Sequence, residues 1–203
     1  MVMEMTAVQG QTKTKHTWPP PQGAWRYEDY LRLPDNGFRY EIIKGELFMS
    51  PAPTIQHQRI LFNLIKLMGN FLEQNKIGGE ALAAPVDVNL PGISTTVQPD
   101  FLFVSDGRLH IVREKNIEGP PDLIVEILSP GTAVYDRQTK FQVYAAAGVR
   151  EYWLVDPEGC TVEVNVLRGQ AYAPLGSFGP ADHMRSEVLL EWDTAVSTLC
   201  PTQ

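Results

Sequence analysis

Only two cysteines, Cys160 and Cys200, occur in the 203 residues, and no CxxC spacing links them. That scarcity argues against both a zinc ribbon and a disulfide framework, so reduced thiols are the expected state. No apolar run approaches the roughly 18 residues that a membrane-spanning helix needs, and residues 1–16 lack the continuous apolar stretch of a signal peptide. The expectation is a cytoplasmic chain with no membrane partner. Cations are also in the minority, 17 Lys and Arg against 24 Asp and Glu, for a formal net charge of −7. A surface broadly covered in basic residues is therefore excluded, although Arg137, Lys140 and Arg150 leave room for a local basic cluster. No segment repeats another. With 43% hydrophobic and 20% charged residues, wholesale disorder is excluded too.

A chain of this length suits one α/β domain that buries roughly 70% of the surface exposed when unfolded. Residues 1–24 read as a flexible N-terminal arm, polar at first and then stiffened by Trp18-Pro19-Pro20-Pro21, and residues 25–200 as a single domain. A short helix is predicted over 25–33, closed by Pro34 and Gly37. Alternation on either side of Lys44-Gly45 predicts a β-hairpin over 39–49. Ile60, Leu61, Leu64, Leu67, Met68, Phe71 and Leu72 recur at helical spacing and predict a helix over 57–75 with one face on a sheet. Strands are predicted over 83–90 and 97–104, and a polar loop over 105–121. A strand through Glu126, a helix over 135–147 ended by Gly148, and a meander from Glu151 onward complete the pattern.

Two acids stand out against this background. Glu126 lies inside Leu123-Ile124-Val125-Glu126-Ile127-Leu128, and Asp100 opens Phe101-Leu102-Phe103-Val104. Such runs form strands buried on both faces, where an unpaired carboxylate costs several kcal/mol, so a cation, a lysine or a proton must compensate Glu126. Alternation puts Glu126 on the face of Ile124 and Leu128. If the strand after Asp100 lies alongside, both carboxylates converge on a hard cation such as Mg²⁺ or Mn²⁺. The plainer alternative is two solvated acids at strand ends. Lys140, one turn after Asp136, reaches back toward Glu126 or forms an exposed ion pair with Asp136. Tyr144, Tyr152 and Trp153 read as core before they read as a stacking platform.

Four stretches carry a resemblance: Arg39-Tyr40-Glu41-Ile42-Ile43-Lys44-Gly45-Glu46-Leu47; Gln98-Pro99-Asp100; Pro120-Pro121-Asp122-Leu123-Ile124-Val125-Glu126-Ile127-Leu128-Ser129-Pro130; and residues 144–156, around Gly148. Together they resemble the Uma-type endonucleases of the restriction-endonuclease-like, PD-(D/E)XK superfamily, over about residues 25–167. The resemblance implies an α/β fold with a mixed central sheet flanked by helices. It also implies a Mg²⁺- or Mn²⁺-dependent hydrolase of DNA phosphodiesters, acting as a homodimer. Asp100 and Glu126 then bind the metal, together with the main-chain carbonyl of Ile127. The superfamily lysine two residues after the second acid is absent, since Leu128 stands there, and Lys140 on the following helix is the matching cation. Glu41, preferred over Glu46, and His57 complete the implied site. A nuclease fold kept only for binding remains the competing expectation, motivated by Leu128 and the acidic charge. A third is a protein that self-associates through a sheet edge.

Overall fold

Residues 18–200 are described by a computed structural model. Of the expected N-terminal arm, residues 1–17 lie outside the described residues, while 18–24 fold back onto the hairpin. The Gln22 side chain bonds both backbone groups of Leu47, at 2.7 and 2.9 Å, and Trp18 packs edge-to-face on Trp25. Gly45 makes that contact possible, because a Cβ there would lie 2.5 Å from the Gly23 carbonyl oxygen.

The aromatic segment forms α1 (Tyr27–Tyr30), and the alternating run forms β1 (Arg39–Ile43) and β2 (Glu46–Ser50). Lys44 and Gly45 take φ of 52° and 78°, as a tight hairpin turn with two positive φ values requires. Then comes α2 (Ile55–Gln74), whose N-terminus is capped by Thr54: its hydroxyl accepts the His57 N–H at 3.2 Å.

The two strands expected next are in fact four: β3 (Gly79–Ala83), β4 (Asp87–Leu90), β5 (Ser94–Val97) and β6 (Phe101–Ser105). Pro85 and Pro99 mark the breaks, since a proline has no N–H for a ladder. The corners meet, with Ala84 N–H donating to the Asp100 carbonyl at 3.0 Å. The expected loop over 105–121 instead holds a 3₁₀ turn (Asp106–Ile111) and β7 (Asn116–Glu118), anchored by buried Ile111 and Ile117. After β8 (Leu123–Ile127), one helical stretch runs through α3 (Ala133–Tyr135), a π-helical turn (Asp136–Lys140) and α4 (Phe141–Ala147). Gly148, at φ 89°, ends it in the left-handed conformation. The chain closes with β9 (Glu151–Asp156), β10 (Thr161–Arg168), β11 (Ala171–Phe178), β12 (His183–Arg185) and β13 (Asp193–Ala195).

Six strands form the central mixed sheet in the order β11-β10-β9-β8-β6-β3, and five form a second sheet, β2-β1-β5-β4-β7. In the central sheet β8 pairs antiparallel with β6 and parallel with β9, so it is hydrogen-bonded on both sides and shielded on both faces. Alternation sorts its neighbours. Leu123, Val125 and Ile127 join a core with Ile60, Leu64 and Met68 of α2 and Trp192 of the C-terminal segment. Ile124 and Leu128 join a second core with Tyr144, Tyr152 and residues of the other sheet. Glu126 therefore belongs to the face toward α4 and the five-stranded sheet.

The thiol expectation is corrected. Cys160 and Cys200 form a disulfide, with Cα atoms 5.9 Å apart across 40 residues of sequence. Local spacing carries no trace of it, because packing of the C-terminus beside the turn before β10 creates the proximity. No helix among the described residues is long and apolar enough to cross a membrane.

Candidate active site

Glu126 is compensated by a lysine and a phenol. The Lys140 ammonium lies 2.9 Å from Glu126 Oε1, and the Tyr144 hydroxyl donates to the same oxygen at 2.8 Å. Lys140 also lies 3.0 Å from Glu41 Oε1 and 3.5 Å from Asp136 Oδ1. It is buried, so the exposed Asp136–Lys140 pair is not what forms. The π-helical turn carries both residues inward; such a turn is rare and frequent at functional sites. Burial alone would discharge Lys140, but Glu126, Glu41 and Asp136 hold its pKa well above the ordinary lysine value. Burial pushes Glu126 well above the usual carboxylate range, and Asp100, Asp136 and Glu41 add to the push against Lys140. Burial raises Asp136 as well.

Asp100 follows Pro99 and faces the C-terminal end of β8. Its Oδ2 accepts the Ile127 N–H at 2.8 Å and lies 3.0 Å from His57 Nε2, and its Oδ1 accepts from Arg39 at 2.7 Å. Burial opposes the charge, but His57 and Arg39 bring the Asp100 pKa down to about 2. Glu41 is held by the Gln98 N–H at 2.8 Å, on the crossover that also carries Asp100. Asp100, Glu126, Lys140, Glu41, His57 and Ile127 all line one cavity of about 180 Å³. Its rim is the Pro51-Ala52-Pro53 segment and the turn from Ser129 to Thr132.

The donor chemistry suits a hard divalent cation. Glu41, Asp100, Glu126 and Asp136 place four carboxyl groups around Arg39 and Lys140, and the raised pKa values of Glu126 and Asp136 mark a shortage of positive charge among them. Among the described residues, no three His, Cys, Asp or Glu side chains already stand as a metal cage. The ammonium and guanidinium now occupy carboxylate oxygens, while His57 Nδ1 is buried without a partner. Asp100, Glu126 and Glu41 are the residues that would hold the ion.

Of the site residues that the resemblance implies, all line this cavity except Glu46, which is exposed on β2. Two lining residues were not foreseen there, Arg39 and Asp136, and Tyr144, which donates to Glu126 from outside the lining, was foreseen only as core. Arg39 had a signal, since it sits two residues before Glu41 on one strand and therefore on the same face. Asp136 precedes Lys140 by one turn. Tyr144, Tyr152 and Trp153 are fully buried, so they are core and form no stacking platform. The suggested basic cluster also fails to form: Lys140 is inside the acid cluster, Arg137 pairs with Glu163, and Arg150 with Asp122.

A mixed central sheet that brings two acids to one cavity, with a helix-borne lysine on the second of them, is the arrangement of the restriction-endonuclease-like α/β class. A family profile described as "Uma2: Putative restriction endonuclease" matches residues 27–197, and the chain belongs to that family. Two Synechocystis proteins are similar. "Uncharacterized protein sll1609" is 26% identical over 117 residues, spanning 57% of this chain and 65% of that protein. "Uncharacterized protein slr1290" is 26% identical over 141 residues, 68% of this chain and 71% of that one. The match thus spans about two thirds of the length of these relatives. The crystal structure of an Anabaena variabilis protein, described as a putative nuclease belonging to DUF820, shares the fold. Its TM-score is 0.68 at 21% identity, covering 85% of this chain and 95% of that one.

Proposed function

We propose that the protein is a divalent-metal-dependent endonuclease hydrolysing DNA phosphodiester bonds. One observation carries the reading: the Lys140 ammonium stands 2.9 Å from Glu126 in the cavity that Asp100 also lines. Membership of a nuclease family supports it. Asp100 and Glu126, with the Ile127 carbonyl and Glu41 as further donors, would hold Mg²⁺ or Mn²⁺, which would supply Lewis acidity toward the phosphate. The chain's own residues do the rest. Arg39 and His57 fix the Asp100 carboxylate in orientation and keep it ionised. Tyr144 donates to the Glu126 oxygen that Lys140 also meets. Lys140 orients the attacking water and offsets charge developing on the phosphate, in a buried setting where that charge counts for more than in water. We take residues 25–200 as the catalytic domain and a cytoplasmic homodimer as the working form.

The test is cleavage of supercoiled and linear DNA by purified protein with Mn²⁺ or Mg²⁺, comparing wild type with Asp100→Ala. Metal-dependent nicking lost in the variant is expected; intact DNA in both, with no metal uptake by calorimetry, overturns the reading. A second reading, a nuclease fold that binds without cutting, draws on the way Arg39, His57 and Ile127 occupy both Asp100 oxygens. It requires DNA binding that is identical in wild type and Asp100→Ala, with no cleavage by either.

A further inference from the structure

A second cavity of about 440 Å³ adjoins the first and shares Arg39 and residues 51–53 with it. That volume lies within the roughly 300–1,000 Å³ of small-ligand sites. Leu33, Pro53 and Pro85 give it an apolar wall, and Tyr30, Phe38 and Tyr40 put three aromatic residues in the lining. Phe38 is 44% exposed, an aromatic that packing of the core does not explain. Asn36 ties Phe38 and Tyr40 together: its Oδ1 accepts the Tyr40 hydroxyl at 3.0 Å and the Phe38 N–H at 3.3 Å. The two aromatics are thus held on one junction of loop and strand. In the same lining the Gln98 side-chain amide donates to the Tyr30 hydroxyl and to Asp87, at 2.9 and 2.7 Å, so its N–H groups already have partners. Only Asp35 and Arg39 bring charge to the lining, and the Arg39 guanidinium bonds Asp100, across the shared wall.

We propose that this second cavity holds an unpaired nucleobase of the strand whose phosphate lies beside Asp100 and Glu126, with Phe38 and Tyr40 as its stacking surfaces. The inference rests on the nuclease reading and deepens it. A flat neutral ring suits aromatic and proline walls, and every base offers such a face. A phosphate does not suit them, and the guanidinium on the shared wall is the group that a phosphate would seek. The site would thus favour a strand that is single or locally unpaired next to the bond to be cut.

A short fluorescein-labelled single-stranded DNA, titrated by anisotropy with Ca²⁺ in place of Mn²⁺, tests this when an abasic site is moved along the strand. In wild type, one abasic position is expected to weaken binding about tenfold, the loss of one stacked base. Phe38→Ala, an exposed change, is expected to weaken the intact strand similarly and to erase the penalty at that one position. Tyr40→Ala should behave alike, and Tyr40→Phe should restore the penalty. Equal affinity of wild type for every abasic strand, or an unchanged penalty in Phe38→Ala, overturns the inference. If wild type cuts DNA while showing no abasic position effect, only this inference falls. If it neither binds nor cuts any strand, the nuclease reading falls with it.

Discussion

Strand β8 has a buried carboxylate at each end, and the two are neutralised in opposite ways. Asp122, just before its first residue, is surrounded by donors in excess. The Ser105 N–H and hydroxyl reach Oδ2 at 2.8 and 2.9 Å, and Arg108 and Arg150 reach Oδ1 at 3.0 and 3.1 Å. Burial opposes the charge there, yet Ser105 and Arg108 leave the Asp122 pKa below its ordinary value. Glu126, four residues on, meets one ammonium that it shares with Glu41 and Asp136, and its pKa is raised. The first end is a finished structural joint. The second crowds three carboxyl groups around one ammonium beside an open cavity, an arrangement that gives up stability.

The largest expected effect on this contrast comes from Lys140→Met. It leaves three buried carboxylates facing one another and should lower unfolding free energy by about 3–5 kcal/mol in urea titrations. Next, Glu126→Gln should reduce metal-dependent DNA cleavage about a hundredfold to a thousandfold, the usual loss on removing a charge-organising group. Asp122→Asn should do the reverse, costing about 2 kcal/mol of stability while leaving cleavage per folded molecule unchanged. Equal loss of cleavage in both variants would erase the distinction between the two ends.

Saturating Mn²⁺ should stabilise the wild type, by about 2.7 kcal/mol at a hundred times its dissociation constant, and should not stabilise Asp100→Ala. Thermal unfolding with and without the ion reads this directly. The smallest effects are in pH. The folded pKa of Asp100, about 2, is below its ordinary 3.8, so its contribution of about 2 kcal/mol is present above pH 4 and is lost as pH falls toward 2. Glu126 has the opposite sign: its raised folded pKa means stability is greatest below about pH 4.5 and declines as pH rises. Glu126→Gln should therefore gain stability over wild type between acid and neutral pH, and a flat difference would show that Glu126 is not held above its ordinary range.

Much of the site was legible in the residues. A glutamate inside a run of Ile, Val and Leu needs compensation, and alternation assigned it to the face where Lys140 and Tyr144 are found. The α2 stripe and the hairpin followed from period and turn chemistry. The breaks at Pro85 and Pro99 were less visible, because alternation continues across each proline while the strands on either side enter different sheets. The inward turn of Lys140 was not legible either. A regular helix leaves it at the margin of the packed face, and only the π-helical turn buries it with Asp136.

Sequence alone thus determined which groups are too costly to bury unaided, since desolvation of a carboxylate depends on its neighbours in the chain once they form a strand. It also determined the α/β class, through periodicity. Tertiary structure decided who answers those charges: which end of β8 receives two arginines and which a shared lysine, and that Cys160 meets Cys200. These are contacts between segments far apart in sequence, set by how the two sheets pack and where the chain crosses between them.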